Sequence, residues 1–257
     1  TIPSGYKTLQ ARNIPLASTS IVKPQRHFNT ILYTGTGNTT QNITGVGFAP
    51  DWIWIKNRSQ ATAHYILDTV RGLKDLHSDN TDAEGDSTGR FNSFDSDGFQ
   101  VEHSGGGNGF TNGSGQNYVA WCWKAGGAAV SNSDGSITSS VSANQTAGFS
   151  IISYTGSGSA ATVGHGLGKS PSMIIIKSRS ATGNWDVHAF GTIRFSLNLT
   201  EANQNNNQCQ FTNTTFSLVD SNANRNGSGV TYIAYCWAEI PGYSKFGKYT
   251  GNGNNDG

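Results

Sequence analysis

The residues best placed to do chemistry come in pairs. Lys56, Arg58 and Ser59 close the stretch 50–59, and Lys177, Arg179 and Ser180 close the stretch 171–180 in the same order. Each set falls at or just after the end of an apolar strand, so one reading is a ligand-binding rim present twice. The other is a strand-end charge pair or turn that recurs because the fold recurs, since repeats preserve packing first. Glycan hydrolysis needs two carboxylates across a cleft. The four glutamates, Glu84, Glu102, Glu201 and Glu239, have no carboxylate at the matching place in the other copy. Asp95-Ser96-Asp97-Gly98 resembles the start of a calcium loop, but the closing glutamate is missing, and Asp-Gly turn chemistry accounts for it without a metal. His27, His64, His77, His103, His165 and His188 show no metal spacing. The glycine strings at 35–37 and 105–107 precede no helix whose N-terminus would hold a phosphate. No catalytic, cofactor or metal residue is expected; the candidate ligand-binding residues are Lys56, Arg58, Lys177, Arg179 and the aromatic Trp185.

What must position these residues is a tandem repeat. Tyr118-Val119-Ala120-Trp121-Cys122-Trp123 returns as Tyr232-Ile233-Ala234-Tyr235-Cys236-Trp237. Tyr33-Thr34-Gly35 returns as Tyr154-Thr155-Gly156, 121 positions later, as does Lys56 in Lys177. The closing strands are 114 apart, so only interior loops differ in length. Tyr249-Thr250-Gly251 matches the opening block once more. Duplicated positions report what the module needs to fold, and unduplicated ones are where function can differ.

Composition narrows the classes. Charged residues make up 13% of the chain while 27 aromatics and 33 glycines are present, which excludes a disordered chain and implies a folded, turn-rich one. A formal charge of +1, with no basic run, gives no field to attract nucleic acid. No apolar stretch approaches the roughly 20 residues of a membrane helix. Cys122 and Cys236 occupy equivalent places and Cys209 has no counterpart, so a disulfide framework is not expected; all three read as small buried hydrophobes.

Along the chain, residues 1–27 read as an extended connector from an upstream domain, 28–127 as a first β module and 149–240 as a second. Residues 128–148 form a connector with a β-hairpin at Asp134-Gly135, and 241–257 begin a third module. Trp52, Trp54 and Lys56 alternate with Ile53 and Ile55, the pattern of a central strand apolar on both sides. His64–Asp68 reads as another strand, and 75–90 as a loop with one helical turn at Leu73–Leu76. Asp68 and Arg71 are spaced to pair across a surface turn, a contact worth about 0–1 kcal/mol. The tract 104–115 reads as a surface loop. No segment has a 3.6 period, so the fold class is all-β: two tandem β-sandwich or jelly-roll-like modules plus the start of a third.

The series at 33–37, 50–59, Asp68-Thr69-Val70-Arg71-Gly72, 80–84, 94–99 and 118–127, continued by 134–137, 163–168 and 242–247, resembles repeated β modules in structural proteins of marine tailed bacteriophages. The resemblance spans nearly the whole chain. It implies a non-enzymatic virion structural protein, a tail fibre or other surface appendage outside the cell that spaces or presents a host-receptor-binding region. It also implies a homo-oligomer such as a trimer, other virion proteins as partners, bacterial surface glycan as a further partner, no cofactor, and a lectin-like or SPRY-like domain upstream. The competing expectation is a carbohydrate-binding module or glycan-active enzyme, with Trp185 or Tyr65 stacking on sugar in an open groove.

Overall fold

The computed structural model describes residues 21, 23–103, 110–202, 204–205, 208–250 and 252. Most of the expected connector at 1–27, part of the loop at 104–115 and most of the last residues of the expected third module lie outside them.

The described residues form nineteen strands, spread over the two modules and their connector. The first holds β1 (Phe28–Thr34), β2 (Thr40–Thr44), β3 (Trp52–Asn57), β4 (Tyr65–Asp68), β5 (Gly72–His77), β6 (Gly85–Asp86), β7 (Phe91–Asp95), β8 (Gly98–Glu102) and β9 (Asn117–Trp123). The connector and second module hold β10 (Val130–Asn132), β11 (Ser139–Asn144), β12 (Phe149–Thr155), β13 (Ala161–Gly164), β14 (Met173–Ser178), β15 (Asp186–Ala189), β16 (Ile193–Ser196), β17 (Gln204–Asn205), β18 (Thr215–Leu218) and β19 (Thr231–Trp237). The large sheets run β1-β9-β3-β4-β5-β6 and β12-β19-β14-β15-β16-β17, the same order in both copies, with β11 and β10 added outside β12. Register repeats too: Trp123 faces Phe28 and Trp52 across its two neighbours, and Trp237 faces Phe149 and Met173.

Each large sheet is covered on one face by a small sheet, β2-β8-β7 in the first module and β13-β18 in the second. In the first, Ile53, Ile55, Tyr118, Ala120 and Cys122 pack against Ile43, Phe91, Phe99 and Val101. In the second, Ile174, Ile176, Tyr232, Ala234 and Cys236 pack against Val163, Phe216 and Leu218. The opposite faces of the two large sheets meet each other through a third core that includes Trp52, Phe149, Ile175, Tyr235 and Trp237. The molecule is therefore a four-layer, all-β stack of two sandwiches. This is why β3 is apolar on both faces: one face closes its own sandwich and the other closes the seam.

The recurring polar and glycine residues serve packing. Tyr33 stacks on Tyr118 at 4.9 Å between centroids, and Tyr154 on Tyr232 at 5.2 Å. The hydroxyls of Tyr118 and Tyr232 accept the Gly113 and Gly227 amides at 2.8 and 2.7 Å. A Cβ on Gly35 would collide with the Gly113 carbonyl, and one on Gly156 with that of Gly227. Close backbone approach thus fixes glycine at both places.

One local expectation needs correction, while the expected Asp-Gly turn is present. Leu73–Leu76 is strand β5, not a helical turn, because Leu76 pairs with Ile66 across the sheet and is buried in the seam. Asp97 anchors the tight β7–β8 turn: its carboxylate accepts the Gly45 and Gly47 amides at 3.1 and 2.6 Å.

Candidate functional site: the seam between the modules

The seam is built from the outer faces of the two large sheets. Trp123 and its counterpart Trp237 approach to 6.3 Å between ring centroids, and Trp52 lies 4.9 Å from Tyr235 and 5.9 Å from Phe149. Aromatic side chains of this size dominate the burial term.

Three of the five residues singled out in the sequence come together here. Lys177 is fully buried, and its ammonium donates to the carbonyls of Thr81 at 3.2 Å and Ser178 at 3.1 Å. Burial without a carboxylate in contact lowers its pKa from 10.5 to about 8. Arg179 grips Glu84 with Nε at 2.8 Å and Nη2 at 3.0 Å, while Nη1 donates to Ser153 Oγ at 2.8 Å. Main-chain bonds run beside them: Glu84 N to Arg179 O and Gly183 N to Thr81 O, both 2.8 Å. Trp185 is buried, and its indole donates to His77 O at 2.8 Å. All three side chains of the second module hold residues 77–84 of the first.

Lys56 and Arg58 are not part of this contact. Lys56 is half-buried and donates to Thr62 O at 3.1 Å within its own module, and Arg58 is exposed. Lys177 is a buried clamp and not a rim, because the first module's loop at 80–84 covers it. Trp185 and Tyr65 are buried to 0% and 1% exposure, so neither offers a face for sugar stacking.

Sequence reading missed the charged centre of the seam. Asp68 and Arg71 form a fully buried pair, Nε to Oδ2 2.6 Å, in place of the expected surface contact. The Tyr235 hydroxyl of the second module donates to the same Asp68 oxygen at 2.8 Å, and Arg71 Nη2 donates to Ile66 O at 3.0 Å. Burial opposes the Arg71 charge, but Asp68 beside it more than compensates and the guanidinium stays protonated. Burial likewise pushes the Tyr235 hydroxyl well above its ordinary range. The available signal was that Asp68 is not duplicated: Ala189 stands at its place in the second copy.

A second buried network lies inside the second module. Asp186 accepts Arg194 Nε at 2.6 Å and Arg225 Nη1 at 2.9 Å, and lies 3.1 Å from His188 Nε2. Burial alone would raise its pKa, but the hydrogen bond and charge of His188, with Arg194 and Arg225, hold it far below the carboxylate range. Arg225 also binds Asp220 at 2.7 Å. A carboxylate so saturated is a structural anchor and not a base.

The three thiols and His165 are enclosed as well. Cys122, Cys209 and Cys236 are free thiols, all buried. Burial pushes the Cys122 thiol up to about 12 and raises those of Cys209 and Cys236 as well. His165 is buried, with Nδ1 accepting Leu167 N at 3.2 Å and Nε2 3.2 Å from Thr212 O. Among the described residues no three His, Cys, Asp or Glu side chains are grouped to hold a metal.

Two openings flank Trp54 along the seam. One is an aromatic cavity of about 330 Å³ whose walls include Phe28, Trp123, Phe149, Met173 and Phe246. The other is a groove of about 320 Å³ where His64, Ser78 and Asp79 of the first module face Asn198 and Thr200 of the second.

A family model described as "Domain of unknown function (DUF7483)" matches residues 23–257. The chain belongs to this family. No curated protein and no solved structure matches it. The DUF7483 match covers both sandwiches and the seam between them.

Proposed function

We propose that this DUF7483 chain is a non-enzymatic structural element of a phage virion, part of a tail fibre or related surface appendage that spaces or presents a host-receptor-binding region. It works outside the cell as a homo-oligomer, a trimer by the resemblance, alongside other virion proteins. The observation that carries the reading is the seam. Polar residues that would be free to bind or react, Lys177, Arg179 and Glu84, instead bolt one sandwich to the next around a buried aromatic core. A stiff tandem unit of near-zero net charge, rich in Asn, Ser, Thr and Gly, suits a spacer exposed to solvent and assembled side by side. Its thiols are enclosed and its most perturbed carboxylate, Asp186, is committed to arginines, which favours a mechanical role over a chemical one.

Immunogold electron microscopy of purified particles with an antibody to this chain tests the location. Label on an appendage is expected, and label confined to lysate with bare particles overturns it. Sedimentation equilibrium tests the assembly: a monomer at all concentrations counts against the homo-oligomer.

A further inference from the structure

The groove beside Trp54 exists because the two copies differ at one position. Trp185 stands 121 residues after His64, and both immediately precede the matched strands β15 and β4. Trp185 fills its side of the seam by packing on residue 77 of the first module. By strand register the counterpart of His77 is Ser196, and His64 faces the residues just after it, Leu197–Thr200. A smaller imidazole at the Trp position leaves the cleft of about 320 Å³ open.

Several polar groups on its walls make no hydrogen bond among the described residues. Asp79 uses Oδ1 to accept the His64 amide at 3.0 Å, and its Oδ2 accepts no hydrogen bond among the described residues. The His64 imidazole, 6.4 Å from the Trp54 ring, and the hydroxyls of Ser78 and Thr200 likewise make no hydrogen bond among the described residues. The Trp54 Nε1 is buried and equally without an acceptor. Asn198, in contrast, is fixed by Trp185 N at 2.9 Å and Asn184 Oδ1 at 3.0 Å, which makes the second module's wall rigid. Burial and the nearby Lys56 keep the His64 pKa low, so the ring offers one donor and one acceptor near neutral pH.

We propose that this groove binds a neutral saccharide ring, with Trp54 against its apolar C–H face and His64, Asp79, Ser78 and Thr200 on its hydroxyls. A purely apolar ligand would leave these groups desolvated and unpaired. An anion would meet Asp79 with no cation in the walls, and one carboxylate is too few for a metal. A sugar hydroxyl, both donor and acceptor, suits each of them. Sugar binding here does not depend on the chain's place in a virion.

The test is titration of the full chain with the methyl glycosides of glucose, galactose, mannose and N-acetylglucosamine, followed by saturation-transfer NMR and tryptophan fluorescence. At least one should bind with a Kd on the order of a few millimolar, as expected for a single small ring. His64→Trp, which makes the first copy like the second, should weaken it about tenfold or more. Asp79→Asn and Thr200→Val keep side-chain size and should each weaken it about threefold to tenfold. These two decide the matter if His64→Trp does not fold. Binding by none of the four glycosides overturns the proposal, as does binding unchanged in all variants that retain the wild-type circular dichroism.

Discussion

Replacing Lys177 should change how stability depends on pH. In the unfolded chain a lysine titrates near 10.5; in the seam Lys177 titrates at about 8. Between these values the unfolded chain binds more protons than the folded one, so stability rises with pH there. The ammonium form carries a folding cost below pH 8, and this cost disappears as pH climbs towards 10.5. Linkage puts the relief at about 1.4 kcal/mol by pH 9 and about 3 kcal/mol by pH 10.5. The wild type alone will not display this cleanly, since the buried thiols and tyrosines, with raised pKa values, lose stability over the same range. Lys177→Met shares all of those groups and removes only the amine. Thr81 O keeps a donor in the variant, from Gly183 N at 2.8 Å. Urea unfolding of both proteins at pH 7, 8, 9 and 10 gives the difference in stability, wild type minus variant. That difference should become more favourable to the wild type by about 1.4 kcal/mol from pH 7 to 9. A flat difference would falsify the claim that the amine is buried in the seam, and a falling one would mean that an unseen carboxylate raises its pKa.

Other perturbations follow from the same geometry. Asp68→Ala takes away the carboxylate in contact with Arg71, leaving Glu84 at 3.9 Å as its ion-pair partner, and removes the acceptor of Tyr235. Denaturant unfolding should report a loss of about 3–5 kcal/mol, against less than 1 kcal/mol if the pair were exposed. Asp186 has a depressed folded pKa, so its contribution is present above pH 4 and lost only as pH falls below the unfolded value near 3.9. The stability gap between wild type and Asp186→Asn should therefore narrow as pH falls below about 4. A thiol reagent should modify Cys122, Cys209 and Cys236 only at the rate of unfolding. Fast labelling of the native protein would place a thiol at the surface.

The repeat, the all-β class and the central position of β3 were legible because duplicated residues and a two-residue alternation report packing directly. Trp52 and Ile53 pointing to opposite faces already implied two cores for one strand. The sequence did not say that the second face of β3 meets its counterpart in the other module. That contact joins Asp68 and Tyr235, 167 residues apart, and no local pattern encodes it. The candidate rim failed at Lys177 for the same reason: a lysine after an apolar run reads as exposed unless the loop that covers it, here Thr81 to Glu84, is known. The Leu73–Leu76 helical turn failed because four residues are too few to separate periods, and pairing with β4 decided it.

The meeting of Trp123 with Trp237 has a consequence for ancestry. Equivalent residues face one another when two copies use the same patch, the arrangement of a twofold dimer, and such a contact closes on itself instead of propagating. The seam is thus a dimer interface written into a single polypeptide. Once covalently joined, the halves no longer had to remain identical at that interface. One could keep a tryptophan at 185 as a plug while the other reduced it to His64, and one could bury its lysine while the other left Lys56 half in solvent. A symmetric pair of chains would have to make every such change twice; a fused pair makes it once, and its surface can become asymmetric about an axis that its core keeps.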